Sequence, residues 1–182
     1  LGCFDITVHS ENYNQTTIQS VHLSAEHHSI YFSRPGVAAN LSGFLKGYAL
    51  ETIKSILNEC VIENALINMG NSSVLALGNH PVGTGWNVNN ILLHNECLTT
   101  SGNDSSERRH IVSPQDGKLV EGARQISVVT TNGAIGEILS TALFAADSEQ
   151  RKALMGIYAH CRVYIYPPCW TYIPTITVLE SL

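Results

Sequence analysis

The chain has 182 residues, 44% of them hydrophobic and 14% charged, with a formal net charge of −5. That length and apolar content suit one globular domain with a real core, and the low charge leaves neutral polar residues to cover much of the surface. The 10 Lys and Arg are spread thinly, so there is no basic footprint for nucleic acid or an anionic membrane, and no apolar run is long enough for a transmembrane segment.

In chain order, loose alternation predicts a strand over 17–23, and Ser29-Ile30-Tyr31-Phe32 reads as a second before Arg34-Pro35-Gly36 turns the chain. Apolar residues at Phe44, Leu45, Tyr48, Ala49, Ile53, Ile56, Leu57 and Cys60 follow the helical period and predict an amphipathic helix over about 42–60. Residues 65–69 and 74–77 read as apolar strands flanking Gly70-Asn71-Ser72. Residues 86–93 and 97–100 read as a strand pair, and the polar stretch 101–109 as an exposed loop. Residues 126–131 are a strand ended by Asn132-Gly133, a helix follows over 135–146, and Ser148 caps a short helix through Leu154. A last strand, 162–166, precedes Pro167-Pro168. Helices mixed with several adjacent strands and no repeat argue an α+β fold.

Cys3, Cys60, Cys97, Cys161 and Cys169 are widely separated, odd in number and lack a CxxC pair. This speaks against a disulfide framework or a zinc site and for small buried apolar roles. No signal peptide or lipobox opens the sequence, so the expected location is cytoplasmic if the chain is complete and exported if it is a piece of a longer one.

Weak negative charge means that an anionic ligand has to be held locally, by backbone amides or a metal. Glu137 and Thr141 stand four apart near the start of a predicted helix, hence on one face, and offer a carboxylate and a hydroxyl to a hard cation such as Mg²⁺. By themselves they read more readily as a first-turn acid favoured by the helix dipole and a hydroxyl bonding back to a carbonyl. Gly43 and Gly47 permit close backbone approach, and Lys46 between them reaches a phosphate or is simply solvated. Asn68, Gly70 and Asn71 suit a nucleotide contact or plain turn chemistry, and Ser101-Gly102 offers amides to a ligand or starts a loop. A lone His110 beside Ile111 and Val112 is ordinarily structural, but an imidazole is also the side-chain type that suits a catalytic base.

Several segments, in order, resemble the ApbE family of flavin transferases. Phe4-Asp5-Ile6-Thr7-Val8 is similar to the family's FDxTV strand, and Asn40 to Ala49 to DLGGIAKGYA. Ala65 to Asn71 resembles ALVNxGG, and Trp86-Asn87-Val88 the WxV strand. Thr100-Ser101-Gly102 resembles TSG, Arg109 to Gly117 resembles RxHIIDPxTG, and Gly136 to Phe144 falls where the family has ADALSTALF.

The resemblance implies an ApbE-like fold, with mixed or antiparallel sheets packed with helices, over one domain spanning 1–182 that lacks the family's usual N-terminal part. It implies a Mg²⁺-dependent transferase that splits FAD and moves FMN to a Thr or Ser of an acceptor flavoprotein, or a relative that hydrolyses FAD to FMN and AMP. Glu137 and Thr141 take the places of the metal ligands, His110 that of the candidate base, and Lys46, Gly43, Gly47, Asn68, Gly70, Asn71, Ser101 and Gly102 those of nucleotide contacts. Four positions depart from the pattern: Asn40, Ser42, Ser113 and Glu137 stand where Asp, Gly, Asp and Asp are usual. These departures and the missing flavin-pocket segments keep open a non-catalytic, shortened ApbE-like protein with a ligand- or partner-binding role. They also leave room for a homodimer in which two chains complete one pocket.

Overall fold

The run Val74-Leu75-Ala76-Leu77 has no polar alternation because the strand that contains it is covered on both faces. In the computed structural model, which describes residues 1–103, 110–122 and 124–166 and the backbone of 177–179, this strand lies inside a six-stranded sheet. Its members are β3 (Ala65–Met69), β4 (Ser73–Leu77), β7 (Glu96–Gly102), β8 (Gln125–Thr130), β9 (Arg162–Tyr166) and β10 (Thr177–Leu179). They are ordered β10-β9-β8-β7-β4-β3, and every neighbouring pair is antiparallel.

Helices cover one face: α1 (Leu45–Glu59), α2 (Gly133–Ala145) and α3 (Ser148–Ile157). Ile126, Val128 and Val163 pack there against Leu139, Leu143 and Phe144 of α2, and Leu50 of α1 meets Leu75 and Cys97. The opposite face is covered by a separate hairpin, β5 (Trp86–Val88) with β6 (Ile91–Leu93), whose Ile91 and Leu93 pack on Val74, Ala76, Leu98 and Val129. The Trp86 indole N–H donates to the Leu77 carbonyl at 2.8 Å and anchors this hairpin. A second hairpin, β1 (Val21–Ser24) with β2 (Ser29–Phe32), stands apart from the large sheet.

The structure alters several sequence expectations. Residues 4–8 form turns rather than a strand: Asp5 Oδ1 accepts from the Thr7 amide and hydroxyl, both at 2.7 Å, and bends the backbone on itself. The strand expected over 17–23 starts only at Val21, because Thr17–Ser20 winds into a 3₁₀ turn. Residues 86–93 are not one strand paired with 97–100. They double back at Asn89-Asn90, both with positive φ (51° and 63°), while β7 pairs with β4 and β8. The third helix is capped by Asp147 rather than Ser148, in a capping box with Gln150. Of the loop read over 101–109, Ser101 and Gly102 complete β7, and 104–109, including Arg109, lie outside the described residues, as do Pro167, Pro168 and Cys169.

The arrangement of α1 and α2 fixes the site. A Cβ added to Gly47 would stand 2.1 Å from the Gly133 carbonyl oxygen, so the two helices touch backbone to backbone. Glu51 of α1 then accepts from the Gly133 amide at 2.6 Å, and the Asn132 side chain accepts from the Ile135 amide at 3.0 Å, satisfying free donors at the start of α2. At the other end, Arg124 donates to the Phe144 carbonyl at 2.8 Å, and Arg151 donates to those of Leu143 and Ala146. Anions at the N-terminus and cations at the C-terminus both oppose the helix dipole favourably. Burial, and then the nearby Arg151 charge, lower the pKa of Arg124.

The described cysteines are free thiols, with Cys97 fully buried and Cys60 exposed. Burial, and then the Glu51 carboxylate beside it, push the Cys97 thiol up to about 12, so it stays protonated and unreactive at pH 8. Iodoacetamide at that pH is expected to alkylate Cys60 readily in the native protein and Cys97 only after unfolding, read by peptide mass spectrometry. Labelling of Cys97 at the rate of Cys60 would contradict this packing.

Candidate active site

Ser73 opens β4 with its side chain on the helix-covered face, two residues from Leu75. Facing it, the second turn of α2 carries Glu137, only 6% exposed and thus among the buried charged residues. The Ser73 hydroxyl donates a short hydrogen bond to Glu137 Oε1, and Lys46 Nζ stands 3.5 Å from the same oxygen. Lys46 Nζ also makes a short bond to the Ser72 hydroxyl. One turn further along α2, the Thr141 hydroxyl lies 2.9 Å from Ser101 Oγ, which is also 2.7 Å from Ser140 Oγ. Gly136 lets α2 approach β7 this closely, because a Cβ there would stand 2.8 Å from Thr99 Oγ1.

Lys46, Ser72, Ser101, Glu137 and Thr141 help to wall a cleft of about 1020 Å³, large enough for a dinucleotide. It brings together Lys46, Gly43, Gly70, Asn71, Ser101, Gly102, His110, Glu137 and Thr141, all singled out from the sequence. Asn40 and Ser42, two of the divergent positions, line it too. Gly47 and Asn68 stand outside the lining: Gly47 is consumed by the helix–helix contact, and Asn68 by exchanging hydrogen bonds with Asn71 at 2.9 and 3.0 Å. Those bonds support Gly70 and Asn71 in positive-φ conformations (65° and 62°), so the β3–β4 turn presents its backbone to the cleft.

Sequence reading missed Ser72, Ser73 and Ser140, which bond to Lys46, Glu137 and Ser101. The available signal was Ser73 directly before a wholly apolar strand, a polar side chain aimed at a dry face. Asp5 and His9 of the N-terminal turns also line the cleft, and Asp5 Oδ2 accepts from the Tyr13 hydroxyl at 3.0 Å. Burial, with Asp5 second, pushes the Tyr13 phenol up to about 12, so Tyr13 stays a donor at neutral pH.

Among the described residues, no three His, Cys, Asp or Glu side chains cluster as a metal cage. The donor set, one carboxylate with the Thr141 hydroxyl beside an open cleft, still fits a hard cation that keeps waters and takes phosphate oxygens. It does not fit a soft or fully caged metal.

An antiparallel six-stranded sheet with helices on one face and an oxygen-lined cleft beside α2 defines the class of protein, and comparison with known proteins places it. The chain belongs to the ApbE family, whose sequence model matches residues 2–165. It is 31% identical over 152 residues to the FAD:protein FMN transferase of Rhodobacter capsulatus, covering 72% of this chain and 29% of that protein. The Klebsiella pneumoniae (strain 342) FAD:protein FMN transferase is 25% identical over 150 residues, covering 74% and 47%. The chain therefore spans about half, or less, of the length of these relatives. Among solved structures, the flavin transferase ApbE from Vibrio cholerae superposes with a TM-score of 0.72 at 17% identity, covering 90% of this chain and 56% of that one. Apo flavinyl transferase ApbE from Pseudomonas stutzeri also gives 0.72, at 18% identity, covering 88% and 54%. These likenesses establish the α+β ApbE fold.

Proposed function

We propose that this chain carries the phosphoryl-transfer site of an FAD-dependent flavin transferase, moving FMN from FAD to a Thr or Ser of an acceptor flavoprotein. The observation that carries the reading is the meeting of Glu137, Thr141, Lys46 and His110 in one dinucleotide-sized cleft. Residues 1–182 act in this reading as a single ApbE-like domain, and a homodimer in which two chains complete one pocket belongs to the same proposal.

The chemistry asks for charge neutralisation on the diphosphate and alignment of an attacking hydroxyl. Lys46 and the backbone at Gly43, Gly70 and Asn71 hold the diphosphate. Glu137 and Thr141 would hold Mg²⁺, which supplies charge neutralisation on the phosphate oxygens. The acceptor hydroxyl attacks the FMN-side phosphorus and its proton passes to His110. A new oxygen–phosphorus bond forms, the bond to the AMP phosphate oxygen breaks, and AMP leaves. With water in place of the acceptor, the same displacement gives FMN and AMP.

The test is incubation of the purified chain with FAD and Mg²⁺, with AMP measured by chromatography. AMP release that depends on Mg²⁺ and disappears in His110→Ala is the expected result, and FAD left intact with and without acceptor protein contradicts it. A second reading, a ligand-binding protein without turnover, is favoured by Glu137 Oε1 already engaged by Ser73 and Lys46 and by the four divergent positions. Saturable FAD binding in calorimetry without AMP release would select it.

A further inference from the structure

A carboxylate as buried as Glu137 is costly unless something compensates its charge. Among the described residues its ionic partner is Lys46, at 3.5 Å, and its other side-chain partner is the neutral Ser73 hydroxyl. The two members of the ion pair differ in freedom: the Glu137 side chain is 7% exposed and fixed in the middle of α2, whereas that of Lys46 is 41% exposed. Lys46 is the second residue of α1 and lines the cleft with its charge on a flexible four-carbon stem. Its second recorded anchor is the Ser72 hydroxyl, on the turn that also faces the cleft.

We infer that Lys46 is a resident counter-ion that a divalent cation has to displace from Glu137. The inference rests on the reading of Glu137 and Thr141 as a cation site. An ammonium and a divalent ion at one carboxylate compete for it, because their mutual repulsion at a few ångströms in a half-buried site is several times thermal energy. The buried carboxylate stays in place while the longer, more exposed lysine swings. Released into the cleft, the ammonium faces the space where an anionic ligand lies, so cation entry also hands a positive charge to that ligand. Without the divalent ion, the ion pair keeps the carboxylate compensated.

The test is binding of Mn²⁺ alone, without nucleotide, followed by the electron paramagnetic resonance signal of the free ion. Wild type, Lys46→Gln, Lys46→Arg and Glu137→Gln are compared, with folding checked by circular dichroism. Removing the competing charge is expected to tighten Mn²⁺ binding by about tenfold or more in Lys46→Gln. Lys46→Arg keeps the weaker wild-type affinity, and Glu137→Gln loses binding. Wild-type binding that is unchanged or weakened in Lys46→Gln overturns the counter-ion role and leaves the cation site standing. No Mn²⁺ binding in either wild type or Lys46→Gln overturns the cation site itself, and the inference falls with it.

Discussion

Gly47→Ala is expected to be the most destabilising small substitution near the site. The new Cβ would lie 2.1 Å from the Gly133 carbonyl oxygen, 2.4 Å from its carbon and 2.7 Å from the Ala134 nitrogen. All three are backbone atoms at the start of a helix, so no side chain can turn aside and α1 has to move away from α2. Overpacking of this kind costs roughly 1–3 kcal/mol, and a clash with fixed backbone belongs at about 3. For a domain of this size that is a fall in melting temperature of roughly 6–12 °C. The damage also reaches the site. Separating the helices lengthens the 2.6 Å bond from the Gly133 amide to Glu51 and shifts Lys46, the neighbouring residue, relative to Glu137. Thermal unfolding followed by circular dichroism checks this, and an unchanged midpoint would show that α1 and α2 do not meet at these glycines.

The second large effect is expected at Glu137. Its carboxylate, on α2, meets both Lys46 of α1 and Ser73 of β4, so its loss takes a negative charge out of the proposed site. Glu137→Ala is expected to lower AMP release from FAD by about 10²-fold or more, corresponding to about 2.7 kcal/mol or more of transition-state stabilisation. Alanine also leaves Ser73 and Lys46 without their partner, so stability falls as well. Glu137→Gln separates the two effects: it keeps the volume and an acceptor for Ser73 but removes the charge. The expected pattern is near-native melting with activity as low as in the alanine variant. Glutamine activity close to wild type would mean that the carboxylate acts as a packing group and not as a charge.

Much of the fold was legible because the sequence signals were local. Asn132 before an apolar helix, the helical period from Phe44 to Cys60 and the strand pair around Gly70-Asn71 all encode structure within a few residues. Strand partners were less legible, since period-two patterns do not say which neighbour a strand chooses. Residues 86–93 illustrate this. Asn89-Asn90 was the hairpin signal inside an otherwise extended stretch, and overlooking it joined two short strands and gave β7 the wrong partner. Residues 4–8 failed for a different reason: the strand was expected from the family resemblance, but the Asp5 side chain captures the Thr7 amide and turns the chain.

The candidate site was legible mainly through the family resemblance. A Glu four residues before a Thr is common on any helix, and nothing local revealed that both face a cleft. Ser72 was unreadable as a site residue because a serine in a turn satisfies turn chemistry equally well, and Ser73 carried only the signal of a hydroxyl heading an apolar run. Their alignment with Lys46 and Glu137 comes from the packing of α1 and α2 on β4, a long-range arrangement. Gly47 points the same way. In the sequence it is a glycine beside a lysine, suited to ligand approach, whereas the structure uses its missing side chain to bring two helices together.

The central claim is that oxygens of Glu137 and Thr141 grip one divalent ion bound to a dinucleotide diphosphate. A crystal of the protein soaked with FAD and Mn²⁺, with anomalous scattering recorded for manganese, tests it most directly. The account predicts a peak at about 2.1–2.2 Å from both a Glu137 carboxylate oxygen and the Thr141 hydroxyl, with phosphate oxygens completing the shell. Bound FAD with no manganese at those two side chains, or with its diphosphate on the far side of the cleft from Lys46, would contradict it.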